Sequence, residues 1–215
     1  DFKSAEMGAH VASVIALKHL VEAYEAVGDK NSAISTLIKL TDKSPNDLNR
    51  RLHLADKLID SNRHNEAKVV LDSLATEKKT LTEIKVRVAD LFDKAGYIDD
   101  ATAMKVELVN SNIEDHVYCN AIAIDLRKQG QYSSAEDCYR KLIQAHPLEA
   151  VLWFNRGVNI SAWGRKEGRL LLLEEAMDYF KTAVKLRADL PGTYEAIEKL
   201  RMDIKAQMGR KKDVR

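Results

Sequence analysis

The feature that most constrains this chain is a period. Ala33, Ala67, Ala101 and Ala135 fall 34 residues apart, and each stands five residues after Gly28, Asn62, Gly96 or Gly130. A repeat of that length is a supersecondary unit that cannot bury its apolar face alone and must stack on its neighbours. Gly164 extends the glycine series, but the next alanine is Ala176, 12 residues on instead of five. Seven residues are therefore inserted, at 165–171.

Each unit reads as two amphipathic helices around a turn. In the first, Leu17, Leu20, Val21 and Tyr24 recur at helical spacing, and Gly28 can supply a left-handed cap. Ala33, Leu37 and Leu40 form the second stripe, which Ser44 and Pro45 end. Small residues recurring at fixed places mark where neighbouring helices approach most closely. Composition agrees: 45% of the 215 residues are hydrophobic but 6% aromatic, with 9 Gly and 3 Pro, which starves a β-sandwich or barrel of strand and turn residues. The expected fold class is all-α, an α-α superhelix (solenoid) of about five helix-turn-helix units.

The clearest unit, HVYCNAIAIDLRKQGQYSSAEDCYRKLIQAHPLE at 116–149, places Ala123, Gly130, Tyr132, Ala135, Tyr139 and Pro147 in series, and Trp153 and Gly157 follow. On these residues the chain resembles the tetratricopeptide repeat family. The resemblance implies repeats at 14–47, 48–81, 82–115, 116–149 and 150–191, the last carrying the insertion. A lead-in or linker from a missing N-terminal region is expected at 1–13, a capping helix at 192–209, and a basic tail at 210–215. Four residues depart from the family pattern: Lys79 and Ile113 replace the closing proline, Lys105 stands at an apolar position, and Arg156 replaces the usual Leu. The segments 40–67 and 121–158, with the absent initiator Met, look like the C-terminal repeat half of bacterial two-component response regulators. That likeness implies an output domain whose partner binding follows phosphorylation of an attached receiver. The competing expectations are a peptide-sensing domain controlling an attached DNA-binding domain, and a passive assembly scaffold.

Catalytic chemistry has little to stand on. There is no phosphate-binding loop, HExxH, CxxC or GxSxG. Glu174 and Glu175 are adjacent, so on a helix they point about 100° apart and cannot flank one bond. His53, Asp56 and Asp60 share a helix face that could hold a metal, but a solvated polar face is the simpler reading. The expectation is a non-enzyme without cofactor or metal. Cys119 and Cys138 are in no metal or redox spacing, which fits buried thiols and a cytoplasmic setting. Lys plus Arg (34) balances Asp plus Glu (33), and no apolar run reaches the roughly 18 residues of a membrane span. Neither nucleic acid nor membrane is an expected partner.

In such an array the first helix of each unit lines the concave face at positions 2, 5, 9 and 12, one stripe of the 3.6 periodicity. The first unit places Ile15, Lys18, Glu22 and Glu25 there, the second Asn49, Leu52, Asp56 and Ile59, and the third Glu83, Val86, Asp90 and Asp93. The fourth gives Val117, Asn120, Ile124 and Arg127, and the fifth Val151, Phe154, Val158 and Ser161. The stripe passes from acidic to apolar. The family's clamp for acidic chaperone tails needs Asn where Glu22 stands and tolerates no Asp90. The expected partner is a protein or peptide with basic residues and an apolar anchor, seated by charge and held by burial. Leu170 to Leu173 in the insertion offer a docking ridge for another domain or a second copy, so a homodimer is among the expectations.

Overall fold

The structure, a computed structural model, describes residues 2–77 and 81–212. The described residues form eleven α-helices: α1 Phe2–Ala26, α2 Lys30–Lys43, α3 Leu48–Asp60, α4 His64–Ala75, α5 Thr82–Lys94, α6 Ile98–Ser111, α7 His116–Lys128, α8 Tyr132–Ala145, α9 Ala150–Glu167, α10 Leu170–Leu186 and α11 Thr193–Lys212. They contain no strand. Contacts divide the chain into two compact units, 1–104 and 105–215, with the division falling inside α6.

The turns explain the glycine series. Gly28, Gly96 and Gly130 have φ of +76°, +84° and +79°, and Asn62 takes the same left-handed conformation at +57°. At each, the next residue's N–H reaches back five residues: Asp29 to Tyr24, Arg63 to Leu58, Tyr97 to Phe92 and Gln131 to Leu126, all at 2.8–2.9 Å. This satisfies carbonyls that the helix end leaves open and reverses the chain. Asp29, Asp47 and Asp115 then cap the helices that follow, accepting from Ser32, Arg50 and Tyr118 backbone N–H groups.

In the first unit, α1 packs on α2, α3 on α4, and α3 also on α2 and α5. Ala33, Ala55, Ala67 and Ala89 are buried where these helices meet, and Ala101 of α6 is buried as well. In the second unit α7 pairs with α8, α9 with α10, and α11 covers α9 and α10. Ala123, Ala135, Ala176 and Ala183 are buried there. Gly157 belongs to the same series, since a Cβ on it would stand 2.7 Å from the buried Phe180 ring. The periodic small residues are thus the contact points of the helices.

Three expectations change. Residues 2–13 are not a linker but the first half of α1, because nothing in that stretch breaks a helix. In the last hairpin the turn glycine is Gly168, φ +63°, and not Gly164. Gly164 lies inside α9, where a Cβ would meet Leu173 at 2.8 Å and Leu172 at 3.0 Å. The insertion therefore lengthens both helices, to 18 and 17 residues, against 13 and 14 in α7 and α8. Finally, Leu172 and Leu173 are buried in the core beside Phe180, so the leucine run is no docking ridge; Leu171 alone of the four is exposed. The capping helix runs on to Lys212, through the first part of the expected tail; residues 213–215, like Lys79, lie outside the described residues.

Gly157→Ala tests the contact argument. Alanine favours a helix by about 1 kcal/mol over glycine, but overlap in a filled core costs about 1–3 kcal/mol. Urea unfolding should show a net loss of stability, and a gain would show that the Phe180 contact yields freely.

Candidate functional site

The predicted stripe of the first unit is present on α1, α3 and α5, but its acids are not bare. Glu25 accepts from His53 Nε2 at 2.8 Å and pairs with Lys57 at 3.1 Å. Lys94 Nζ reaches both Asp56 and Asp60 at 2.6 Å. These two carboxylates hold the Lys94 ammonium above its usual range, and Lys94 in turn lowers Asp60. Asn49 accepts from Arg87 at 3.2 Å. Glu22 is held from its own helix, by His19 at 3.3 Å and Lys18 at 3.9 Å. Glu83 and Asp90 are exposed and Asp93 half-buried. Within the acidic column, Glu25 and Asp56 are thus matched by cations of the next first helix, while Glu83 and Asp90 lie at the surface. Leu52 and Ile59 belong to the core. His53, Asp56 and Asp60 do not converge as a metal set, because the histidine turns to Glu25 and the aspartates to Lys94.

Between α1 and α3 the stripe opens into a cleft of about 380 Å³. Lys18, Glu22, Asn49 and His53 rim it, and Val21, Leu37 and Leu40, all buried, make its floor. Asp47 and Arg50, at the start of α3, pair beside it at 2.9 Å. This is an apolar floor inside a rim of both charges, the arrangement that seats one apolar side chain and orders its charged neighbours.

In the second unit Asn120 and Asn155 are joined at 3.0 Å, with Ile124 and Arg127 half-buried on the same helix as Asn120. Phe154 and Val158 are not an open apolar anchor. Phe154 packs on Phe180, with ring centroids 5.6 Å apart, and both residues pack against the cluster that includes Ile197 and Leu200 of α11. The capping helix leaves them half-buried, and Arg165 of α9 fixes it through Asp203 at 2.6 Å. Ser161 is buried.

The two departures inside helices prove to be paired ions. Lys105, buried, gives its ammonium to Asp125. Arg156 donates to Glu136 through Nε at 2.9 Å and through its terminal nitrogen at 2.5 Å, and stacks 4.1 Å over the Tyr179 ring. Burial raises Glu136 despite this partner. At Ile113, where proline is missing, His146 Nε2 donates to the carbonyl at 2.9 Å and holds the turn. Cys119 and Cys138 are buried, which pushes their thiols to about 11 and about 12, so both are protonated at neutral pH.

No family model and no curated protein matches the chain. Among solved structures, a tetratricopeptide repeat protein from Parabacteroides merdae aligns with a TM-score of 0.52 at 16% identity, covering 94% of this chain and 79% of that one. MamA aligns at 0.49 and 18% identity, covering 82% of this chain and 92% of that chain. YrrB, described as a TPR protein with an unusual peptide-binding site, aligns at 0.48 and 15% identity over 92% of this chain and 97% of that one. The chain has the tetratricopeptide-type α-α superhelical fold. Among the described residues no helix is long and apolar enough to cross a membrane.

Arg156→Leu would restore the usual repeat residue yet leave Glu136 buried alone, a loss of about 3 kcal/mol at neutral pH. Glu136 is the raised kind of acid, so the loss should be smallest below the unfolded glutamate pKa of about 4.3 and grow as pH rises through the folded value. Urea titrations across that window should show this, and the double change with Glu136→Leu should remove it. A loss independent of pH would contradict the pairing.

Proposed function

We propose that the chain is a non-catalytic interaction module that takes a partner protein segment on the first-helix face of residues 1–104. The observation that supports this is the α1/α3 cleft, whose floor of Val21, Leu37 and Leu40 lies beneath Lys18, Glu22, Asn49 and His53. An apolar partner side chain enters the cleft. Basic residues beside it compete with Lys18, Lys57 and Lys94 for Glu22, Glu25 and Asp56, and Glu83 and Asp90 extend the acidic path. The anchor thus moves from Phe154 and Val158, which pack against the cluster that α11 shares, to the other unit. Exchange of one ion pair for another gives little affinity but sets orientation and rate.

The output role in two-component signalling rests on the likeness of segments 40–67 and 121–158 alone; an upstream reading frame without a receiver pattern would remove it.

A displayed library of random peptides, panned against the protein, tests the binding reading. Enriched peptides should combine an apolar residue with Lys or Arg. Glu22→Lys should weaken them about tenfold at low salt, with the difference shrinking as salt screens it. Failure to enrich any peptide, or binding indifferent to Glu22→Lys, would contradict the assignment.

A further inference from the structure

The first unit carries an apolar ridge, which continues the α1 side of the proposed binding face toward the start of the helix, and an apolar cleft that lies off that face; the two do not meet each other. The ridge is on α1. Met7, Val11 and Ile15 recur every four residues on one side of the helix and are 68%, 50% and 51% exposed. The cleft, of about 840 Å³, lies on the side of α3 away from the α1/α3 cleft, between α2 and α4. Its floor is Leu54 and Leu58 of α3, and its walls include Ile38 of α2 and Val69 of α4, which are 37% and 70% exposed.

We propose that the ridge of one copy seats in this cleft of another, a head-to-tail self-association. Size supports the match: the cleft has room for the three side chains of the ridge. Met7 to Ile15 spans about 12 Å at 1.5 Å per residue. Charge supports it as well. Lys18 continues the ridge one turn beyond Ile15, while three acids, Asp42, Glu66 and Glu77, line the cleft, Glu66 held by Arg63 and Glu77 by Arg51. The cleft's cation, Arg51, is already engaged inside the cleft by Glu77 at 2.7 Å and Ser73 at 2.6 Å. Ridge and cleft are different surfaces, so the contact does not close on itself as a two-fold dimer would; it propagates. An interface of two helical turns is small, and the association is transient and driven by concentration.

Two surface variants separate the halves. Met7→Lys/Val11→Lys removes the ridge and keeps the cleft; Ile38→Lys/Val69→Lys removes the cleft and keeps the ridge. All four residues are exposed, and unchanged circular dichroism and melting verify that both variants fold. By sedimentation velocity from low-micromolar to millimolar protein, the unaltered chain should gain mass continuously, and each variant alone should stay at the mass of one chain. An equal mixture of the two should form a one-to-one dimer and nothing larger, since it holds one working ridge and one working cleft. A single-chain mass for the unaltered protein at every concentration overturns the proposal. So does a cleft variant that still associates, which would mark a ridge-to-ridge contact, or a mixture that stays monomeric.

Discussion

Close approach of helices at small side chains is the constraint on which the rest of this structure depends. At each hairpin an alanine or glycine is buried against its neighbour, and at Gly157 and Gly164 even a methyl group would overlap a core side chain. That contact fixes the separation of the helices, and the left-handed turn five residues before it fixes their reversal. Once both recur every 34 residues, the first helices fall on one face of each unit and carry whatever polar side chains the repeat supplies. The insertion obeys the same logic, since it lengthens α9 and α10 while Gly164 and Ala176 keep them in contact.

A second regularity rides on the first. Asn49 meets Arg87 and Asp56 meets Lys94, both 38 residues on, and Arg165 meets Asp203 at the same separation in the other unit. Thirty-eight is one repeat plus about one helical turn, so a side chain on one first helix meets its counterpart on the next, displaced along it. The near-zero net charge of the chain is in part the sum of these matched rungs. An exposed pair of this kind adds little stability. Its consequence lies at the surface, where a partner's cation can take Asp56 while Lys94 keeps Asp60.

Fold and face were legible for different reasons. The alanine and glycine series is a backbone requirement, and no other residue types satisfy it as well, so it survives in a single sequence. The charge ladder was legible in principle from the 38-residue spacing, but reading each column alone hid it and made Asp56 look open. Phe154 and Val158 looked like an anchor because a stripe along α9 cannot reveal that α11 folds back over it. Gly164 was misplaced because one residue type serves two purposes here, turning the chain at Gly168 and admitting a neighbour at Gly164. Lys105 and Arg156 looked like defects in the repeat, since their acids, Asp125 and Glu136, each lie 20 residues away. The cleft between α2 and α4 left no mark in the sequence, because it is made by two helices failing to meet.

The central claim is that a partner engages the α1/α3 face of the first unit by an apolar side chain and by exchange of ion pairs. Titrating labelled protein with a short peptide of basic residues around one leucine, and following its backbone amide resonances, tests this most directly. The account predicts the largest shifts at Lys18, Glu22, Asn49 and His53, with Lys94 shifting as Asp56 changes partner. Shifts confined to α9 and α11, or none at millimolar peptide, would contradict it.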